Sequence, residues 1–300
     1  VSGVGFDPGA PWDVEEEDTV YARAGARELL ARVYRPVGPP AAPLAALVDV
    51  HGGAWSRGDH TTGARHARAL AASGLVVVSP DFRQGPENRH PAASADVAAA
   101  VRWTRAHAGR LGVAPERIGL LGASSGGQLA LLAGLAPELA LHAGTPIVLP
   151  DGRPGPAAGG GRVAVVLALY PVCDPLARYR YVLGREHEPP SPAGFDARRL
   201  IAAHRGYFAD EAAMARASVT RLVEAGEATE RPPVWLAQAG QDDNVPAAIT
   251  EAFVAAYRRA GGTLEHAHFP ASRHGFIQTA GPDLDKAVAL VRAFVGRHLA

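Results

Sequence analysis

Ile118-Gly119-Leu120-Leu121-Gly122-Ala123-Ser124-Ser125-Gly126-Gly127-Gln128-Leu129-Ala130-Leu131-Leu132 changes character half-way. Its first third is an apolar run of strand length, and its last third reads as a buried helix. Ser124 stands at the junction, framed by Gly122 and Gly126 as Gly-x-Ser-x-Gly. A strand that becomes a helix within two residues turns sharply, and flanking glycines let the backbone pass without Cβ clashes. A serine there projects its hydroxyl at the carboxyl edge of a sheet. It also sits at a helix N-terminus, where free N–H groups favour developing negative charge. With 34 glycines in the chain the pattern can arise by chance. A glycine-rich turn with a capping serine is the plain alternative.

The surroundings support the first reading. Residues 45–50, 75–79, 117–122, 163–170, 234–239 and 263–269 have the apolar character of buried strands. Between and after them, 61–73 (stopped by Gly74), 92–108, 125–134, 247–260 and 283–298 read as helices. This alternation predicts a mostly parallel central sheet with helices on both faces. Ahead of it, 20–23 and 28–34 read as an antiparallel pair joined at Gly25. Residues 150–161, rich in Gly and Pro, form a loop. Residues 174–233 are too long for a crossover and contain helical pieces at 198–208 and 212–223. The expectation is one domain over 1–300, with 174–233 inserted as a cap above the active site.

Composition narrows the function. Thirty basic residues balance thirty acidic ones, and 47 % of the chain is hydrophobic. That supports a folded core and gives no footprint for nucleic acid. No run of eighteen apolar residues suggests a membrane span. The single cysteine, Cys173, allows no internal disulfide, reads as a small buried residue, and points to a reducing, cytoplasmic setting. The start Val1-Ser2-Gly3-Val4 is not a signal peptide, and it lacks an initiator Met, so a removed signal stays compatible with the sequence. His266 and His268 share one face of a predicted strand, but no cysteine or carboxylate cluster joins them, so no metal is expected.

Three further segments end predicted strands and so fall at the same sheet edge as Ser124. His51-Gly52-Gly53-Ala54-Trp55 would aim backbone N–H groups at a substrate carbonyl, with His51 as a brace. The N–H of Ser125 would add another donor to this oxyanion hole. Gly240-Gln241-Asp242-Asp243-Asn244 and Ser272-Arg273-His274-Gly275-Phe276 supply an acid and a base. The order Ser, Asp, His fits a relay in which His274 takes the Ser124 proton and an aspartate orients the imidazole. Either Asp242 or Asp243 can fill that place. Trp55 and Phe276 are candidates for the substrate pocket. Tyr179, Tyr181, Phe195, Tyr207, Phe208 and Met214 belong to the expected cap, where packing explains each of them.

Asp81-Phe82-Arg83-Gln84-Gly85-Pro86-Glu87, then Pro91-Ala92, Asp96 and Trp103, resembles the D-Y-R-L-A-P-E block of hormone-sensitive-lipase-like esterases. With His51-Gly52-Gly53, Gly122 to Gly126 and His274-Gly275-Phe276, the resemblance covers about residues 45–125 and 234–280. It implies an α/β-hydrolase fold and a carboxylic-ester hydrolase acting on small to medium esters through an acyl-enzyme. It also implies no cofactor and a monomer or homodimer. Its oxyanion donors fall on Gly53 and Ala54, although Ala54 replaces the family's third glycine. Arg83, Glu87 and Asp96 are expected to form a structural network beside that loop. H-G-G-x-W is also similar to kynurenine formamidases and feruloyl-esterase-like hydrolases, which keeps an amidase, formamidase or peptidase open. Asp242-Asp243-Asn244-Val245 resembles the D-D-N-V segment of prolyl-oligopeptidase-type hydrolases, where the first aspartate serves, and this favours Asp242. The usual G-x-x-D interval selects Asp243 when counted from Gly240, and Asp242 when counted from Ala239. A non-catalytic small-molecule binding protein on this fold is the alternative from another class, and such proteins generally lack a member of the relay.

Overall fold

The computed structural model describes residues 3–191 and 194–300. Eight strands form one sheet: β1 (Val14–Ala24), β2 (Arg27–Pro36), β3 (Leu44–Val50), β4 (Val76–Pro80), β5 (Val113–Ala123), β6 (Val166–Leu169), β7 (Val234–Ala239) and β8 (Leu264–Phe269). Their order is β1-β2-β4-β3-β5-β6-β7-β8. β2 pairs antiparallel with β1 and β4, and every other pairing is parallel.

The helices are α1 (Ala64–Ala71), α2 (Ala92–Ala106), α3 (Ala108–Leu111), α4 (Ser125–Leu135), α5 (Pro175–Leu183), α6 (Ala197–Tyr207), α7 (Glu211–Arg216), α8 (Val219–Glu224), α9 (Ala247–Arg259) and α10 (Pro282–His298). Strand side chains alternate between two cores. Val48, Val50, Val76, Val78 and Leu120 face α2, α4 and α9, whereas Leu47, Val77, Leu121 and Leu167 face α1 and α10. Burial on both faces explains why these strands read as unbroken apolar runs.

The antiparallel edge is longer than its apolar pattern suggests. The first half of β1 carries Glu15, Glu16, Glu17 and Asp18, which face solvent. Arg32 reaches Asp18 at 2.7 Å and Arg35 reaches Glu15 at 2.6 Å across the ladder. Such exposed pairs contribute little stability, but charge on an edge strand discourages pairing with another chain. The helix expected over 212–223 is two helices. Ser218 interrupts it by accepting the Arg221 N–H at 3.3 Å as the cap of α8. A serine that competes for backbone N–H groups breaks a helix where the apolar spacing alone would continue it. α8 packs against α4 and α9, in the helix layer of the sheet.

β3, β5, β7 and β8 all run parallel, so the loops that follow them emerge at one edge. Ligands bind outside the carboxyl ends of strands in open sheets of this kind.

Candidate active site

The turn between β5 and α4 holds Ser124 at φ 55 and ψ −119. This left-handed backbone is costly for a residue with a Cβ, and such strain is found at functional turns. The flanking glycines are demanded by contact. A Cβ on Gly126 would lie 2.1 Å from the Val50 carbonyl oxygen, and one on Gly122 would lie 2.4 Å from the Gly126 oxygen. The turn is anchored by the Ser124 N–H donating to Leu169 O at 2.9 Å.

His274 Nε2 lies 2.8 Å from Ser124 Oγ, and His274 Nδ1 lies 2.8 Å from Asp242 Oδ2. The other Asp242 oxygen accepts the N–H groups of Asn244 and Val245 at 2.9 and 2.8 Å. The carboxylate is 1 % exposed, so this array is shielded from competing water. The acid and base loops are tied together, since Gln241 N donates to Ser272 O at 2.9 Å. Asp243 points elsewhere, with Oδ2 3.4 Å from Ser191 Oγ. Of the two aspartates, Asp242 is therefore the one in reach of the imidazole.

The loop after β3 packs directly on this turn. Gly53, Ala54 and Trp55 have φ values of 126, 54 and 57, a left-handed run. A side chain on Gly53 would meet the Arg57 carbonyl oxygen at 1.9 Å. Ala54 adopts its left-handed turn despite its Cβ, at a cost of about 1–2 kcal/mol. Among the described residues, the N–H groups of Gly53, Ala54 and Ser125 have no acceptor. His51 stacks on Phe82 at 4.2 Å and bonds the Gly52 carbonyl oxygen at 2.7 Å. Burial holds its pKa below the ordinary histidine value, so it braces the loop as a neutral ring.

A cavity of about 420 Å³ opens over Ser124, with His274, Tyr170, Arg178 and Phe195 in its walls. Neither Trp55 nor Phe276 lines it. Trp55 is fully buried behind the loop, parallel to Tyr207 at 5.7 Å and bonded through Nε1 to Gln128 Oε1 at 3.0 Å. Phe276 packs on Tyr170 and Phe269. Both support the site from behind the surface that a substrate would meet.

Two contributions were not visible in the sequence. Tyr170, at the end of β6, sets its ring against His274 with centroids 4.8 Å apart. Helix α5 clamps the acid loop: Tyr181 OH donates to Asp243 O at 2.9 Å, and Arg178 bonds the Asn244 side chain. No local signal could have shown this, because more than sixty residues separate the partners. The rings of His266 and His268 lie 4.1 Å apart on β8. Among the described residues no group of three metal-ligating side chains is found.

Arg83 and Asp96 form the expected network. Asp96 is completely buried and accepts from Arg83 N, Nε and Nη2 and from Thr145 Oγ1, at 2.8 to 3.2 Å. Glu87 is exposed and takes no part in it. Asp96→Ala removes the acceptor these donors share; breaking a fully buried ion pair costs about 3–5 kcal/mol, and since the Arg83 side chain is 23 % exposed the expected loss is at the low end, about 3 kcal/mol. Urea unfolding of the variant should show a loss of that size, and an unchanged midpoint would contradict it.

The profile of the alpha/beta hydrolase fold family matches residues 47–278. The chain belongs to this family. Its β5–α4 turn, its loop after β3 and the loops after β7 and β8 all lie within the matched span, which makes them parts of one hydrolase architecture. The chain is 40 % identical over 124 residues to the carboxylic ester hydrolase LipN of Mycobacterium tuberculosis, covering 40 % of this chain and 32 % of that one. It is 38 % identical over 138 residues to the carboxylesterase NlhH of the same organism, covering 45 % and 41 %. The matched stretches thus span less than half of either relative. An esterase structure from Pyrobaculum calidifontis superposes with TM-score 0.73 at 24 % identity, over 95 % of this chain and 86 % of that one. Among the described residues, no helix is long and apolar enough to cross a membrane.

Proposed function

We propose that this hydrolase cleaves small to medium carboxylic esters through an acyl-enzyme. The observation that carries the reading is the Ser124–His274–Asp242 relay, with both links at 2.8 Å, beside N–H groups that have no acceptor among the described residues. The names of the relatives, carboxylic ester hydrolase and carboxylesterase, support the same class.

In this reading His274 Nε2 takes the hydroxyl proton as Ser124 Oγ attacks the ester carbonyl carbon. Negative charge moves to the carbonyl oxygen, where the N–H groups of Gly53, Ala54 and Ser125 receive it. Each such donor is worth roughly 2.7–4 kcal/mol in the transition state of a comparable acyl transfer. His274 then protonates the alcohol oxygen, the C–O bond breaks, and the acyl group stays on Ser124. Water enters, gives its proton to His274 and releases the acid by the reverse steps. Asp242 keeps Nδ1 protonated and steadies the imidazolium. Helices α5, α6 and α7 act as the cap, with α5 and α6 roofing the cavity, while α8 belongs to the helix layer of the sheet. The complete relay weighs against a non-catalytic binding protein.

Hydrolysis of 4-nitrophenyl acetate, butyrate and octanoate tests the proposal, together with labelling by an aryl phosphonate. The expected outcome is turnover of the two shorter esters, a fall at octanoate given the cavity of about 420 Å³, and a single adduct on the peptide containing Ser124. Inert esters with rapid cleavage of aryl amides would shift the assignment to an amidase. Inertness toward both would favour a binding protein.

A further inference from the structure

The cavity over Ser124 is walled by arginine. Arg178 on α5, Arg199 on α6 and Arg57 in the loop after β3 all line it, against one lining carboxylate, that of Asp243. Arg178 is 1 % exposed. Its Nη2 bonds Asn244 Oδ1, and its Nε lies 3.4 Å from Asn244 O. Nη1 is buried and has no hydrogen-bond partner among the described residues. Arg57 and Arg199 form no ion pair among those residues, and Arg199 meets Asp196 only through its backbone N–H. Burial, and then the neighbouring Arg57, hold the Arg199 pKa below the usual arginine value. Burial also lowers Arg178 to about 9, although Asp242 opposes the shift.

A buried guanidinium with an unused N–H group is unfavourable unless an acceptor, best an anion, meets it. Packing alone would be served better by an apolar side chain of similar length. Guanidinium groups match a carboxylate in geometry as well as in charge. We propose that the preferred substrates are esters carrying a free carboxylate, which Arg178 and Arg199 bind while Ser124 attacks the ester carbonyl. The inference rests on the ester-hydrolase reading and adds the substrate's charge. The carboxylate takes no part in bond making or breaking; it fixes the ester group over the nucleophile. Arg57, exposed at the mouth, draws the anion in.

Two matched pairs of esters test this. Mono-(4-nitrophenyl) adipate is compared with 4-nitrophenyl hexanoate, which places the charge on the acyl side. 4-(Carboxymethyl)phenyl acetate is compared with 4-ethylphenyl acetate, which places it on the alcohol side. The charged member of at least one pair should show a kcat/KM about tenfold higher, falling as ionic strength rises. Arg199→Gln should lower that ratio about tenfold through KM, and Arg199→Lys should keep much of it. Arg178→Met should lower it too, but Arg178 also braces the acid loop, so Arg199 gives the cleaner reading. Ratios at or below one in both pairs, or a ratio indifferent to Arg199→Gln, would overturn the proposal. If all four esters are inert, the hydrolase reading has failed separately. Calorimetry of monomethyl adipate with Ser124→Ala then decides: binding weakened by Arg199→Gln supports the carboxylate site, and no binding removes it.

Discussion

Ser124→Ala is expected to lower kcat for 4-nitrophenyl butyrate by about 10⁵–10⁶, the scale seen when a relay nucleophile is removed from a serine hydrolase. The argument is geometric. Ser124 Oγ lies 2.8 Å from His274 Nε2, and the backbone turn holds Ser124 in the wall of the cavity where the proposed ester would sit. Alanine keeps the Cβ and the turn but removes the atom that forms the bond. What remains is stabilisation by the N–H groups of Gly53, Ala54 and Ser125, which still act on an attacking water. Among the described residues the hydroxyl bonds His274 alone, so thermal unfolding should hardly move. Adding His274→Ala to the same chain should cost little more, because members of a relay act as a unit. Steady-state kinetics and a melting curve on the same preparation check both statements. An active Ser124→Ala variant would remove the nucleophile assignment.

Asp242→Asn should lower kcat by about 10⁴, the size found for the equivalent change in a serine protease relay. The cause is a tautomer. Asp242 Oδ1 is fixed as an acceptor by the N–H groups of Asn244 and Val245, so Oδ2 must face His274. In the asparagine variant the same two N–H groups hold the amide oxygen in the Oδ1 place, and the NH₂ turns toward His274 Nδ1. Nδ1 then becomes an acceptor, the ring proton moves to Nε2, and His274 can no longer accept the proton of Ser124. Asp243→Asn should cost less than about tenfold on the same neutral ester, since its carboxylate does not touch the imidazole. The pair of variants separates two neighbouring aspartates that motif counting alone left open. Equal losses in both would mean that the loop matters only as a whole.

The sheet and its connections were legible because buried parallel strands show as apolar runs, and residues 45–50, 75–79 and 234–239 correspond closely to β3, β4 and β7. The edge pair was read short, since the charged half of β1 is held by cross-strand ion pairs that have no apolar signature. Periodicity makes residues 212–223 one helix, because it does not register the side-chain bond through which Ser218 breaks it. Residue type alone puts Trp55 and Phe276 among the pocket candidates. Both lie behind it, since large aromatic rings are as useful for holding loops together as for touching ligands.

Sequence alone determined which residues could react and where along the chain they fall. Ser124, His274 and the aspartate pair each follow a strand, and parallel strands send their following loops to one edge. Only the tertiary structure shows that the carboxylate of Asp242, and not that of Asp243, stands within reach of His274. Their neighbouring positions are equivalent to a motif, whereas the Asn244 and Val245 N–H groups and the His274 ring distinguish them in space. It alone also brought Arg178, Arg199 and Arg57 around one cavity. Those three come from separate segments, and the charge they concentrate exists only after α5 and α6 have folded over Ser124.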